Sequence, residues 1–485
     1  MRLLVCGIDG ATWTVAEPLI ARGRLPHLAR LRARGAWGSV RADGNASPAL
    51  WTSIFTGQRP HRHGITFFGK DSRAVRARRL WEICEEHGWT VGVCGVLATW
   101  PPRPVRGFLI PDVFALGPET HPPAYAFLQR LLLRERAGRN PAVARLGDAL
   151  ALARHGVRPA TWAAAVAALL PRRSLDRRWR ALLLQPRLFA DVFVALCRRH
   201  RPDLAIFHVH ATDTVSHIYW KYREPARFPE VSAAEAARYG QVVHRAYETA
   251  DAILGRLLGL AGPGTTVLVT SDHGFAARAR PRFKYDLRFE RLLRLLDLEG
   301  RVVGARFGDV FALETRGLPA AAVAAELQQV RLEGASRPLF RLYPPEDGVL
   351  AFALDEEGDL HAARVRLDPD RAVPFEDLFE DRGFVVSGQH DPLGLCVLAG
   401  RGVRPGPLGE VALYDLTPTL LALAGLPVGA DMDGSPRVDA IDPAFLRDHP
   451  IRQVPSYGGP GAGEPADAAA VDPRVLERLR GLGYL

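Results

Sequence analysis

Short apolar runs alternate with longer amphipathic segments along this chain, and that alternation limits the folds open to it. The apolar runs, which include many β-branched residues, lie at 3–8, 91–96, 204–209, 266–270 and 395–399. The segments 25–35, 80–88 and 233–260 carry apolar residues at helical spacing, and the last predicts one long helix. Buried strands that alternate with helices are typical of parallel sheets covered on both faces. The sequence therefore predicts an α/β fold, a mostly parallel sheet sandwiched by helices.

Two segments depart from this pattern and predict insertions. Residues 119–200 are rich in Leu, Ala and Arg with helical periodicity, which indicates an all-helical insertion. Residues 281–383 include "GVLAFALDEEGDLHAARVRL", where "DEEGD" predicts a hairpin turn between two strands of a small α+β insertion. The predicted core then comprises 1–118, 201–280 and 384–440. Residues 441–485 predict a C-terminal wrap that ends in a short helix.

Acidic and imidazole side chains stand at the ends of the apolar runs. They are Asp9, Asp213, His217, Asp272, His273 and His390. Singly, Asp9 fits a turn, Asp213 and His217 a capping pair, and His390 a loop. Asp272 and His273 are more specific, because two polar groups directly after a buried apolar strand need a partner. In an open parallel sheet, however, ligands bind beyond the carboxyl ends of the strands, where most of this set would converge. Carboxylates and imidazoles are the ligands of zinc and similar divalent ions, and six of them exceed one tetrahedral site but suit two ions.

A hydroxyl-rich stretch, "NASPALWTSIFTGQRPHRHGI" at 45–65, raises the question of a nucleophile. It holds Ser47, Thr52, Ser53 and Thr56, without the G-x-S-x-G motif of esterase-type hydrolases. A serine hydroxyl attacks at neutral pH only beside a base or a metal ion. The residues alone leave open which hydroxyl is used.

The chain resembles the alkaline phosphatase superfamily, and within it the type I phosphodiesterase/nucleotide pyrophosphatase branch. The matching pieces, in the family's order, are "GIDGATW", "SPALWTSIFTGQRPHRHGI", "TDTVSH", "SDHGF" and "GQH". The resemblance spans roughly residues 1–118, 201–280 and 384–440. It implies an alkaline-phosphatase-like fold and an enzyme that hydrolyses phosphate esters.

The same resemblance implies which site residue is the nucleophile and which residues bind each metal ion. Ser47, nine residues before Thr56, would be the nucleophile. One divalent ion would take Asp213, His217 and His390. The other would take Asp9, Asp272, His273 and the Ser47 oxygen. The ions would be zinc, or manganese, and the reaction would pass through a phosphoseryl-type intermediate, with a phosphodiester or nucleotide pyrophosphate favoured over a monoester.

Departures from the family's patterns leave rival interpretations. The run Ser47-Pro48-Ala49-Leu50-Trp51 lacks the sulfatase signature, and Phe68 stands where many nucleotide pyrophosphatases carry a phosphate-holding Asn. Arg62, Lys70 or a backbone N–H could replace that contact.

A cofactor-independent phosphosugar mutase uses the same metal set, but its insertion is mixed α/β. A basic membrane- or nucleic-acid-binding module on an inactive phosphatase core is the alternative from another class. His208 and His210 share one strand face, and His210 fits either a partner of a metal ligand or a structural histidine.

Positive charge is concentrated in one segment of the chain. The whole chain carries +10, yet residues 121–200 hold 15 arginines against four acids. We therefore predict that residues 119–200 form a cap that selects small anionic phosphate-ester substrates. A concentrated positive charge speeds the encounter with negatively charged molecules. Docking on acidic lipid through Trp162 and Trp179 is the alternative; no specific nucleic acid is predicted.

Without a leader or a bilayer-length apolar run, we expect a cytoplasmic protein, with a peripheral membrane position if the docking alternative holds.

Overall fold

The computed structural model describes residues 1–44, 46–66, 71–136, 146–170, 174–307, 310–315, 317–343, 349–356 and 358–459. Its strands are β1 Leu3–Ile8, β2 Ala36–Arg41, β3 Val91–Cys94, β4 Gly107–Ile110, β5 Leu204–Val209, β6 Thr266–Thr270, β7 Gly274–Leu287, β8 Val302–Phe307, β9 Val310–Thr315, β10 Arg331–Leu332, β11 Phe340–Leu342, β12 Val349–Leu354, β13 Arg364–Asp368, β14 Arg371–Pro374, β15 Phe379–Asp391, β16 Leu393–Gly400, β17 Gly406–Ala412, β18 Val428–Gly429 and β19 Gln453–Val454. Its α-helices are α1 Trp13–Ala21, α2 Pro26–Arg34, α3 Ser47–Thr56, α4 Pro60–His63, α5 Leu80–Glu86, α6 Ala126–Arg136, α7 Leu146–Arg154, α8 Pro159–Leu169, α9 Ser174–His200, α10 Ala211–Arg223, α11 Ala233–Tyr239, α12 Val242–Leu258, α13 Phe289–Leu295, α14 Ala320–Gln329, α15 Phe375–Leu378, α16 Leu416–Ala424 and α17 Pro443–Asp448.

An eight-stranded sheet lies at the centre of the first of two units, which contains Met1–Ala276 and Gln389–Ala468. The strand order is β17-β2-β16-β6-β1-β5-β3-β4. Strands β6, β1, β5, β3 and β4 are parallel, β17 is parallel to β2, and β16 runs antiparallel between β6 and β2. The prediction of a mostly parallel sheet is confirmed.

Helices cover both faces of this sheet, which explains why β1, β5 and β6 are buried along their whole length. Leu3 and Ile206 belong to a cluster with Leu50 of α3 and Leu420 of α16. On alternate positions, Phe207 of β5 packs on Phe193 of α9 with ring centroids 5.1 Å apart. Thus α9, which lies in the segment predicted as an insertion, also forms part of the helical layer on the sheet.

The second unit, Ala277–Gly388, contains two small antiparallel sheets and a core of its own. One sheet has the order β11-β12-β9-β8 and the other β10-β13-β14. The predicted hairpin at "DEEGD" is wrong, because β12 and β13 on either side of it belong to different sheets. The backbone there serves other contacts: Asp355 donates its N–H to the Leu339 carbonyl, and Leu360 donates to the Tyr285 hydroxyl. Glu357 lies outside the described residues.

The long helix predicted over 233–260 is also wrong in one respect, since α11 and α12 are separate helices. Gly240 ends α11, and a Cβ there would come within 2.6 Å of the Ala236 carbonyl oxygen and 2.9 Å of the Tyr222 carbonyl oxygen. The chain therefore passes close to the C-terminal part of α10 at this glycine. A capping box between Ser232 and Glu235 starts α11.

A buried ion pair fixes α5, which packs beside the helix α3 that carries Ser47. The Arg79 guanidinium donates to Oε1 of Glu82 at 2.6 Å, and the Arg79 backbone N–H donates to Oε2 at 2.9 Å. Both side chains are almost fully buried. Burial alone would raise the pKa of Glu82, but the charge and hydrogen bonds of Arg79 outweigh it and lower the pKa.

We predict that Glu82→Ala lowers the free energy of unfolding by about 3–5 kcal/mol, because it leaves the Arg79 charge buried without its partner. Urea unfolding at neutral pH measures this. Glu86→Ala is the matched control: Glu86 lies on the same helix in an exposed ion pair with Arg78, and its loss should cost less than about 1 kcal/mol. Since the folded pKa of Glu82 is lowered, its contribution should disappear as the pH falls below the ordinary value of 4.5. Equal effects of the two variants would contradict the prediction.

Candidate metal centre

Strand order brings the six predicted ligands to one edge of the central sheet. Asp9 follows β1, Asp213 follows β5 in the first turn of α10, and Asp272 follows β6, so the carboxyl ends of three neighbouring parallel strands supply the aspartates. His390 arrives from the opposite direction. It lies in β15, just before β16, and because β16 is antiparallel its first residues stand at this same edge.

Ser47 reaches the edge for a related reason. Strand β2 is antiparallel to β16, and its last residue, Arg41, pairs with Leu393 at the start of β16. The chain leaves β2 at this edge and enters α3, whose first residue is Ser47. Of the hydroxyls in the stretch 45–65, Ser47 is therefore the one that the fold delivers to the aspartates and histidines.

One group of predicted ligands consists of Asp213, His217 and His390. Oδ1 of Asp213 lies 3.2 Å from Nε2 of His390 and 3.5 Å from Nε2 of His217. The two imidazole nitrogens lie 3.1 Å from each other. The side chain of Asp213 is fully buried, whereas those of His217 and His390 are about one-fifth exposed. This group is therefore the side on which the centre opens towards solvent.

The second group is arranged around His273, which stacks on His390 with ring centroids 3.6 Å apart. Nε2 of His273 lies 3.2 Å from Oγ of Ser47 and 3.5 Å from both Oδ1 of Asp9 and Oδ2 of Asp272. It also lies 3.8 Å from Oδ1 of Asp213, which connects the two groups. All of these side chains are buried.

These separations fit ligand atoms around divalent ions. Atoms bound tetrahedrally at about 2.0–2.2 Å from one zinc ion lie about 3.3–3.6 Å from each other. Among the described residues, no hydrogen-bond donor reaches Oδ1 of Asp9, Oδ2 of Asp213 or Oδ2 of Asp272. Buried carboxylate oxygens without donors are costly unless a cation binds them. The donor set therefore suits metal binding at this edge.

The shifted pKa values of Asp272, Asp9 and His273 also fit a metal-binding role. Burial raises the pKa of Asp272 well above its usual value, and the charges of Asp9 and Asp213 raise it further. Burial would also raise the pKa of Asp9, but His208 and His210 outweigh it and hold that pKa well below the usual range. Burial lowers the pKa of His273 to about 4, so its imidazole is neutral at pH 7 and able to bind a metal ion.

Some neighbours of the ligands escape a sequence-based search. Trp51 donates its indole N–H to Oδ2 of Asp9 at 3.2 Å, and the Gly10 backbone N–H donates to Oδ1 of Asp272 at 3.3 Å. His210, weighed from the sequence as a partner of a ligand, pairs with Oδ2 of Asp9 through Nδ1 at 3.0 Å. The signal for Trp51 was its position four residues after Ser47, which places both on one face of α3.

Other polar residues of the 45–65 stretch serve structural contacts. Thr52 and Thr56 bond carbonyls of the preceding turn, and Ser53 pairs with the buried His63 at 3.0 Å. Arg62, considered as a phosphate contact, forms an ion pair with Asp433 at 3.0 Å. Phe68 and Lys70 lie outside the described residues.

A family model decides what kind of protein this is. The model of the type I phosphodiesterase / nucleotide pyrophosphatase family matches residues 3–369, more than half of the chain. The chain belongs to this family. No curated protein matches it in sequence.

Membership gives the chain a class of reaction and confirms the fold predicted from the resemblance. It is a hydrolase that acts on phosphoric ester bonds, with an alkaline-phosphatase-like α/β fold, in a family that depends on metal ions. The family acts on small phosphate esters such as nucleotides. In the part of the chain that the structure describes, no helix combines the length and apolar character needed to cross a bilayer.

Several arginines of the basic segment 119–200 are engaged within the protein. Arg187 donates to the Thr249 hydroxyl at 3.1 Å, and Arg180 lies 4.4 Å from the Trp179 ring. Trp179 itself is buried, with Arg245 of α12 against its ring. The buried Trp179 ring gives no support to docking on lipid through this residue, whereas Trp162 is half-buried. Arg172 and Arg173 lie outside the described residues, and selection of substrates by this segment stays a prediction.

We predict that Asp272→Asn stabilises the metal-free enzyme while weakening metal binding. It removes one of three mutually repelling buried carboxylates but also a metal ligand. Thermal unfolding in chelator should show a higher midpoint than wild type, and added zinc should raise that midpoint less. Asp251→Asn is the control, since Asp251 is a buried carboxylate that accepts backbone N–H groups of His27 and Leu28 outside the site. Because it lies outside the site, added zinc should raise its midpoint by as much as it raises that of wild type. A lower midpoint for metal-free Asp272→Asn would contradict the prediction.

Proposed function

We propose that this enzyme hydrolyses phosphodiesters or nucleotide pyrophosphates, in preference to monoesters, with Ser47 as its nucleophile. The observation that carries the proposal is the position of the Ser47 hydroxyl, 3.2 Å from His273 Nε2 and beside three buried aspartates. No other hydroxyl of α3 has such neighbours, since those of Thr52, Ser53 and Thr56 are engaged elsewhere.

The two ligand groups support a pair of divalent ions, zinc or manganese. Asp213, His217 and His390 would hold one ion. Asp9, Asp272, His273 and the Ser47 oxygen would hold the other. When bound, such ions lower the pKa of the serine hydroxyl and neutralise charge on the phosphoryl oxygens.

The protein's own residues position the reaction. Ser47 is the first residue of α3, where the positive end of the helix dipole favours an anionic phosphoryl group. Its oxygen would form a bond to phosphorus as the bond to the leaving oxygen breaks, and the proton of the hydroxyl would pass to the leaving group. Attack of water on the resulting phosphoserine would then release the phosphate product and restore the hydroxyl with its proton. The partly exposed His217 and His390 mark the side from which substrate would approach.

A cofactor-independent phosphosugar mutase, which would use the same ligands, remains the second candidate. It is disfavoured by the segment 119–200, whose described part consists mainly of the helices α6–α9 and not of a mixed α/β domain. An inactive core with a binding function is disfavoured because the aspartates, the histidines and Ser47 are all retained in one cluster.

We predict that Ser47→Ala lowers kcat on a phosphodiester by about a thousand-fold or more, because the bond-forming oxygen is lost. The variant should retain most of its bound metal, measured by elemental analysis. Ser53→Ala is the matched control on the same helix, since its hydroxyl pairs with His63 outside the ligand groups, and it should keep kcat within a few-fold. Wild-type turnover by metal-loaded Ser47→Ala would rule out Ser47 as the nucleophile.

Chelation and a substrate panel test the class of activity. We expect exhaustive chelation to abolish turnover and zinc or manganese to restore it. On the restored enzyme, phosphodiesters and nucleotide pyrophosphates should give higher kcat/KM than phosphomonoesters or sulfate esters. Interconversion of phosphosugars without phosphate release would favour the mutase, and full activity after chelation would end the metal-dependent assignment.

A further inference from the structure

Asp9 differs from the other aspartates of the centre in how its two carboxylate oxygens are surrounded. Oδ1 faces His273 at 3.5 Å and, within the described chain, receives no hydrogen-bond donor. Oδ2 faces the opposite way, towards three nitrogen atoms. Trp51 Nε1 lies at 3.2 Å, His210 Nδ1 at 3.0 Å and His208 Nε2 at 3.2 Å. One oxygen is thus available to a cation, while the other is enclosed by N–H-bearing rings.

The enclosure is built into the backbone around Asp9. The Asp9 N–H donates to the Val209 carbonyl, and its own carbonyl accepts the Thr212 hydroxyl at 2.6 Å, so β5 and α10 fix the main chain. Parallel pairing places Gly7 opposite His208. The three rings therefore converge on a carboxylate whose backbone is itself held in place.

Gly7 provides the space that the rings need. A Cβ on Gly7 would come within 2.6 Å of the Trp51 ring, closer than packed atoms allow, and within 3.1 Å of the His208 ring. The Trp51 and His208 rings meet edge to face with centroids 4.5 Å apart. On the other side, Phe114 packs edge-on against His210 at 5.3 Å. Aromatic packing thus locks the rotamers of the side chains that surround Oδ2.

Helix α3 links this arrangement to the nucleophile. Ser47 and Trp51 are one turn apart on the same face of α3, so the helix that presents the hydroxyl also presents the indole N–H. A shift of α3 along its axis would move both groups together. The distance from Ser47 to the open oxygen of Asp9 is therefore set by a rigid helix and not by a flexible loop.

We propose that Trp51 and His210 are positioning residues that bind Oδ2 of Asp9, with the His208 ring packed beside them, so that this aspartate contacts its metal ion through Oδ1 alone and stays in register with Ser47. The proposal rests on the proposed function, because it assigns Asp9 to one of the two ions. Partners of this kind fix the orientation of a ligand, and their loss typically costs ten- to a hundred-fold in metal affinity or activity.

The test uses paired variants of the full-length enzyme. His210→Leu removes the donor, whereas His210→Asn keeps an N–H near the place of Nδ1. Trp51→Phe removes the indole N–H but keeps a buried ring. Trp81→Phe is its matched control, because Trp81 is equally buried and its indole N–H has no hydrogen-bond partner within the described residues.

Metal affinity and stoichiometry, measured by calorimetry on chelator-treated protein, are the primary readout. We expect wild type to bind two ions, and His210→Leu and Trp51→Phe to bind one of them about 10–100-fold more weakly. His210→Asn should recover most of the affinity, and Trp81→Phe should match wild type. In the kinetic readout, kcat should fall with the affinity at subsaturating metal while KM for the diester changes little.

Three outcomes would overturn the proposal. The first is unchanged affinity for both ions in folded His210→Leu and Trp51→Phe. The second is failure of His210→Asn to recover affinity. The third is a third bound ion in wild type that His210→Leu loses, which would make Oδ2 a metal-binding atom. If wild type binds two ions but cleaves no phosphate ester, the proposed function fails while calorimetry still tests the positioning residues.

Discussion

Three aspartates lie buried with a carboxylate oxygen 3.5–3.8 Å from one imidazole nitrogen, that of His273. Carboxylates are rarely buried without partners, and burying three together adds mutual repulsion to the loss of hydration. The raised pKa of Asp272 is one consequence. The family depends on metal ions, and cations bound at this edge would compensate both the repulsion and the lost hydration. Functional geometry here is therefore maintained at the expense of the stability of the metal-free chain, a trade common at catalytic sites.

The sheet topology makes this concentration of charge possible. Three parallel strands in the order β6, β1, β5 deliver one aspartate each, as expected for an open α/β sheet. The antiparallel β16 adds what parallel strands cannot: a chain segment that enters the sheet at the edge where the others leave it. His390 arrives by this route, and Ser47 follows the neighbouring β2 to the same place. A single reversed strand thus completes the set of predicted ligands.

Much of the fold and of the candidate site could be predicted from the sequence, for identifiable physical reasons. The runs that became β1, β5 and β6 are buried on both faces, so their continuous apolar character was unambiguous, and the charged residues immediately after them stood out. The amphipathic β2 and the exposed, glycine-bearing β17 lacked that signal and were missed. The break between α11 and α12 depended on a close approach to Tyr222, which lies outside any local window. The pairing of β12 and β13 with other strands was equally non-local, and so was the contact of Trp51 with Asp9.

The stacking of His273 on His390 has a consequence for how the chain is held together. His273 directly precedes β7 and His390 lies at the end of β15, so the two imidazoles meet within the first unit although the whole segment Ala277–Gly388 lies between them in the chain. Bringing such distant residues together costs conformational entropy, and the contacts between them offset part of that cost. The candidate centre therefore forms only when two distant parts of the chain have met, and metal bound there would favour that closure.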